Sequence, residues 1–143
     1  MKNSKRISKI VDIASQKERV AIGDVGLKRR KTLTEQKKLK DLQRYREEYD
    51  SQYSIIVLEP LNGKQFVQYH VFLEKLNEAI KQQEQAVEYA NRDLIQSKSD
   101  WASTRAEKNS YTKLMDKVVA LELREREIRE QAEIDDRTKR KNR

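Results

Sequence analysis

The side chains able to do chemistry are few, and their spacing argues against most of it. His70 is the only histidine and there is no cysteine, so neither a His-pair metal site nor a thiolate nucleophile can be assembled. Gly63-Lys64 pairs a glycine with a lysine but lacks the upstream glycine spacing of a phosphate-binding loop. The 24 acidic residues are interleaved with 32 basic ones, so solvated ion pairs are the expected role rather than an acid/base dyad. No catalytic residue, cofactor or metal site is expected, and the chain reads as a non-enzyme. Recognition chemistry remains. The stretch YREEYDSQY sets Tyr45, Tyr49 and Tyr53 four residues apart, on nearly one face of a helix. Rings at that spacing either close a helix–helix seam or present a surface to a partner.

The elements that must carry these rings are legible from composition. Of 143 residues, 39% are charged and 36% hydrophobic, and the mean hydropathy is −1.04. That is too polar for a compact core and too regular in its apolar spacing for disorder. Three glycines and one proline leave few places to turn, so long helices that coil together are expected. The absence of cysteine fits a reducing cytosol. The longest apolar run, Ile55 to Leu58, is far short of a bilayer span. The opening MKNSKRISKI has no apolar core of a secretory signal.

One segment, LEPLNGK (58–64), reads as a chain reversal. Pro60 biases Glu59 away from the helical region, Asn62-Gly63 is a turn dipeptide, and Asn62 with Gln65 has the form of a capping box. The expected fold is all-α: two long helices in one antiparallel coiled-coil hairpin. Helix 1 is expected over about 4–58, the turn over 59–64 and helix 2 over about 65–138, in a single elongated unit. Helix 2 carries the cleaner repeat. Alternating steps of three and four run from Leu73 through Leu76, Ile80, Gln83, Val87, Ala90, Leu94, Ser97, Trp101, Thr104, Lys108, Tyr111 and Met115 to Val118, and ten of these fourteen are apolar or aromatic. Leu73, Ile80, Val87, Leu94 and Trp101 are its expected packing residues. The helix 1 seam is weaker: Glu18, Lys28, Thr32, Glu35 and Arg46 interrupt it. Gly23 and Gly26 mark AIGDVG as a bend or break.

If the turn centres near residue 61, cross-hairpin partners have numbers totalling about 123. Trp101 then faces Ala21 and Gly23, Tyr45 lies near residue 78, and Tyr49 near residue 74. The end of helix 2 overhangs, and five acid-to-base i,i+4 pairs from Glu122–Arg126 to Asp136–Arg140 support it as a lone helix. Near the tip the apolar arc is wider than a two-stranded coil needs. Tyr69, Phe72 and Ala79 flank the helix 2 seam, and Tyr45 flanks that of helix 1. Such a surplus is a partner-site signal, with extra packing or dimerisation as the alternatives.

Residues 1–45 hold 14 Lys and Arg against 5 Asp and Glu, more than the whole chain's net +8. A basic end suits an acidic partner surface. A nucleic-acid binder is disfavoured because the tyrosines stand apart from the basic clusters and no recognised module occurs. A membrane-surface helix is disfavoured because charge is mixed into the helix 1 seam. A generic coiled-coil spacer or adaptor remains the other alternative.

The ordered set KIVDIASQKE, YREEYDSQY, a Gly-containing turn, YHVFLEKLNEAIKQQE, a midhelix Trp101 and a basic, charge-dense tail resembles the FliJ family over most of the chain. The family is the coiled-coil stalk of the bacterial flagellar type III export apparatus, similar in fold to the rotary-ATPase γ-subunit stalk. The resemblance implies a cytoplasmic protein, peripheral at the inner-membrane export apparatus and needed for motility. It implies that the end bearing both termini enters the ring of the export ATPase. The other end would bind the cytoplasmic domain of the export-gate membrane protein, promoting proton-motive-force-driven export, with export chaperones as further partners. The family's gate-binding surface maps to Leu42, Tyr45, Tyr49, Phe72, Leu76 and Ala79. Lys38 and Gln83 stand where the family usually has amides or histidine, which puts those two in doubt.

Overall fold

The computed structural model describes residues 2–56 and 63–142, in two helices: α1 (Lys2–Ile56) and α2 (Gly63–Lys141). Most positions are strong helix formers such as Lys, Glu, Gln, Leu, Ala and Arg. Several serines and threonines inside the helices return their hydroxyls to carbonyls one turn back, as Thr34 does to Arg30 at 2.9 Å and Thr104 to Asp100 at 2.8 Å. Lys139, Arg140 and Lys141 close the last turn of α2, where the helix dipole favours cations. Pro60 and Asn62 of the expected turn lie outside the described residues. The helix does not break at Gly23 and Gly26: both lie within the continuous hydrogen-bonded α1, and neither has a positive φ.

The helices pack antiparallel, in two compact units. In the first, Met1–Ile22 with Asp100–Arg143, Ser4 N donates to Glu122 Oε1 at 3.2 Å and Glu18 pairs with Lys108 at 3.0 Å. In the second, Gly23–Ser99, Thr32 reaches Ala90 and Glu35 reaches Gln83. Numbers rise on α1 as they fall on α2.

The seam is thin. Its buried apolar residues are Ala14, Val25, Leu76, Ile80 and Ala90, and no described side chain is sealed on every side. Leu73, Val87, Leu94 and Trp101 are half-buried. Trp101 lies within reach of the Glu18 carboxyl on α1, and Arg105 sits over its ring 6.0 Å from the centroid. The indole N–H is buried without a well-aligned acceptor. The Glu18 carboxyl is held below the usual carboxylate range, chiefly by the hydrogen bond from Lys108; burial opposes this, while the Lys108 charge, the indole and Arg105 add to it.

The polar interruptions of the two seams meet one another. Thr32 and Glu35 are buried, and each has a partner on α2. Thr32 Oγ1 donates to Ala90 O at 3.2 Å and to Lys28 O at 3.0 Å. Gln83 Nε2 donates to Glu35 Oε2 at 2.6 Å and to Glu35 O at 2.9 Å. In the tail, residues 123–142 are all exposed. The expected Glu125–Arg129 and Asp135–Lys139 ion pairs are not among the described contacts. Arg129 Nε instead approaches Glu125 O at 3.5 Å, and Gln131 donates to Asp135 at 3.3 Å. In full solvent a pair of long charged side chains gains too little to be held in one geometry.

Candidate partner-docking site

Seven aromatic rings gather where α1 ends and α2 begins. The four-residue spacing of Tyr45, Tyr49 and Tyr53 puts them on one α1 face, and Phe66, Tyr69, His70 and Phe72 rise from the first turns of α2. Tyr69 is the ring that ties them. It stacks on Tyr53 (centroids 3.5 Å apart, planes at 14°) and on Tyr49 (5.1 Å, 6°). Tyr69 therefore packs between the helices and does not widen the arc to one side. Phe72 takes Tyr49 at 4.6 Å and receives Tyr45 edge-on at 6.2 Å and 72°, the geometry the ring quadrupoles favour. Tyr49 thus meets Phe72 close to the expected register, while Tyr45 meets it about six residues closer to the tip than the expected residue 78.

The electrostatics of the cluster centre on one hydrogen bond. The Tyr69 hydroxyl donates to Asp50 Oδ1 at 2.7 Å. That bond, helped by burial and by the Asp50 charge, pushes the phenol up to about 12, because ionising it would set two anions together. Tyr69 is fixed as a neutral donor.

The residues differ sharply in access. Tyr45 is 50% exposed, whereas Leu76 is 6% exposed and lies in the seam. Leu42, Tyr49, Phe72 and Ala79 are half-buried. A side chain already in the seam has little area left to give a partner, so contact would fall on Tyr45, the open edge of Phe72 and their neighbours. Three exposed apolar residues beside the cluster, Phe66, Val67 and Val71, escaped the sequence reading. Their signal was present: Phe66 with His70 and Val67 with Val71 are i,i+4 pairs flanking the seam, and Phe66 stands edge-on to His70 at 4.3 Å.

Lys38 and Gln83 belong to a different cluster. Both engage Glu35, Lys38 Nζ at 3.6 Å from Oε1 and Gln83 through its two bonds. Lys31 completes it at 3.1 Å. The Glu35 carboxyl is lowered, first by the Gln83 hydrogen bond and next by that from Lys31. The arrangement offers aromatic and apolar contact at one place and satisfied polar contact at the other, and it gathers no nucleophile–base pair. Among the described residues no group of three or more His, Asp or Glu is placed to hold a metal ion, and no helix is long and apolar enough to cross a membrane.

In comparison with protein families, the family model described as "Flagellar FliJ protein" matches residues 3–142. No curated protein and no solved structure matches the chain.

Proposed function

Because the chain belongs to the FliJ family, a family of flagellar export components and not of enzymes, we propose that it is a stalk which docks on the export gate through its aromatic cluster and enters the export ATPase ring by its terminal end. The observation that carries the docking half is the Tyr45–Phe72 edge, an aromatic contact left half open to solvent beside exposed Phe66, Val67 and Val71. Rigid aromatic rings that already hold one another lose little entropy on binding, which is what an anchor residue requires. The partner is the cytoplasmic domain of the gate protein, and the engagement promotes proton-motive-force-driven export.

The ring half rests on the unit of residues 1–22 and 100–143. Its α2 segment beyond Glu122 is exposed along its whole described length and carries Leu123, Ile128 and Ile134 in the open. The basic excess of residues 1–45 suits an acidic lumen. Delivery of export chaperones belongs to the same reading, as does a place at the inner-membrane export apparatus.

The test is a pull-down with the gate domain and with the ATPase. Tyr45→Ala with Phe72→Ala is expected to abolish gate binding and swimming while helical content is unchanged. A chain lacking residues 124–143 is expected to lose ATPase binding and keep the gate. Gate binding that survives the double substitution would leave a plain coiled-coil spacer. Loss of the gate, rather than the ring, on truncation would reverse the assignment of ends.

A further inference from the structure

Glu35 is a carboxylate in a helix–helix seam, 6% exposed, and its atoms are fully provided for. Oε1 meets the ammonium groups of Lys31 at 3.1 Å and Lys38 at 3.6 Å, and Oε2 accepts from Gln83 Nε2 at 2.6 Å. An amide nitrogen has two protons to give, and the second goes to the Glu35 carbonyl at 2.9 Å. One turn earlier, the buried Thr32 hydroxyl reaches the main chain of Ala90 at 3.2 Å. Ala90 is small enough for the hydroxyl to touch the opposite backbone.

The sequence around this contact makes it selective. From Leu73 to Leu94 the α2 seam reads Leu73, Leu76, Ile80, Gln83, Val87, Ala90, Leu94, with Gln83 the one amide. A slide of α1 by about one turn would set Glu35 against Ile80 or Val87, and a slide of a heptad against Leu76 or Ala90. Each alternative strips the carboxylate of its amide donor and buries it against hydrocarbon, which is costly for a charge. A thin seam of interchangeable aliphatic residues has no comparable preference of its own, since one apolar knob fits the next hole nearly as well.

We propose that Glu35, with Gln83, is a register lock that holds α1 and α2 of this unit in a single alignment. It gives up seam stability to do so. Gln83 is held in that lock, whereas Lys38 touches Glu35 from its own helix and stays exposed. The inference does not rest on the docking reading, because it concerns alignment within the hairpin and is read without any partner.

The chain has no cysteine, so engineered pairs report alignment cleanly. Thr32→Cys with Ala90→Cys marks the observed register; Thr32→Cys with Val87→Cys or Leu94→Cys marks registers about one turn away, since a disulfide closes only over a Cα separation of about 4.4–6.8 Å. With Glu35 and Gln83 intact, the first pair is expected to cross-link and the shifted pairs to stay reduced. With Glu35→Leu, and independently with Gln83→Leu, cross-linking of the shifted pairs is expected to rise on the order of tenfold, while helical content and melting temperature hold or increase. Glu35→Gln, which keeps a polar group facing Gln83, is expected to restore the single register. Cross-linking confined to Thr32–Ala90 in both leucine variants would overturn the proposal. Loss of the helical fold in both would overturn it equally, because Glu35 would then be a stabilising element and not a selector.

Discussion

Leu76 and Tyr45 occupy the same stretch of the hairpin and should respond to truncation in opposite ways. Leu76 is 6% exposed and Tyr45 50%. Leu76→Ala removes three buried carbons, worth about 2.4 kcal/mol at about 0.8 kcal/mol each. The further penalty for an enclosed cavity is small, because this seam seals no side chain completely and the gap is open to water or collapse. A net loss of about 2–3 kcal/mol corresponds to a melting temperature lower by about 5–10 °C. Tyr45→Ala gives up the edge-on contact with Phe72, about 0.5–1 kcal/mol, and shifts the melt by no more than about 3 °C. Binding to the gate domain should order the two differently. An anchor lost at Tyr45 weakens affinity by about 2 kcal/mol or more, roughly thirtyfold, with the fold unchanged. Leu76→Ala should weaken binding only as far as it unfolds the hairpin, and recover on cooling. The assays are thermal denaturation by circular dichroism and titration calorimetry at two temperatures. A Leu76→Ala chain with unaltered melting and no gate affinity would refute the reasoning, since the leucine would then be a contact residue despite its burial.

Other outcomes follow from particular contacts. The Tyr69 phenol, raised to about 12 by Asp50, has its folded pKa above its unfolded one. Its contribution to stability is therefore complete below about pH 10 and is lost as pH rises toward about 12. Phenolate absorbance should show a late-titrating component that Tyr69→Phe removes and Asp50→Asn shifts to lower pH. Glu18 has a depressed folded pKa, so its contribution is present above the unfolded value and is lost as pH falls through the folded one. In a carboxyl-carbon NMR titration, Lys108→Met should move Glu18 back up. Gly23 and Gly26 lie inside α1 with open space where a Cβ would sit, so alanine at each should stabilise the helix by about 0.5–1 kcal/mol, read as a higher melting temperature. A lower one would mean that the backbone there is not helical in solution.

The helix 2 repeat was legible because it is a local pattern: Leu76, Ile80 and Ala90 are buried where steps of three and four put them. The pairing across the hairpin was less so. A register estimated from the centre of the turn puts Thr32 within about a residue of Ala90, which it meets, but it cannot say how far a long side chain reaches along the seam, as Glu18 does to both Trp101 and Lys108. The meaning of the seam's polar residues was hidden as well. Glu18, Thr32 and Glu35 looked like weak points on α1, as Gln83 and Lys108 did on α2, since a one-dimensional pattern cannot say that two interruptions face each other. Tyr69 escaped for a related reason: its flank position by helical angle becomes an interior one once Tyr49 and Tyr53 lie against it.

Taken within the unit of residues 23–99, these contacts divide the work. Aliphatic side chains hold α1 to α2 but cannot choose among alignments, and their buried area is small. Polar pairs make that choice, because a misplaced carboxylate loses more than a misplaced leucine. The aromatic cluster depends on the choice having been made. Tyr69 meets both Tyr49 and Tyr53, and Phe72 meets both Tyr45 and Tyr49, so a slide of one turn would leave each with a different neighbour and would move Tyr45 off Phe72. A docking surface assembled from two helices is only as defined as their register. Glu35 and Gln83, which touch none of the aromatic rings, are therefore expected to govern the shape of the site, and Glu35→Leu should broaden the aromatic proton resonances of Tyr45 and Phe72 while leaving the chain helical.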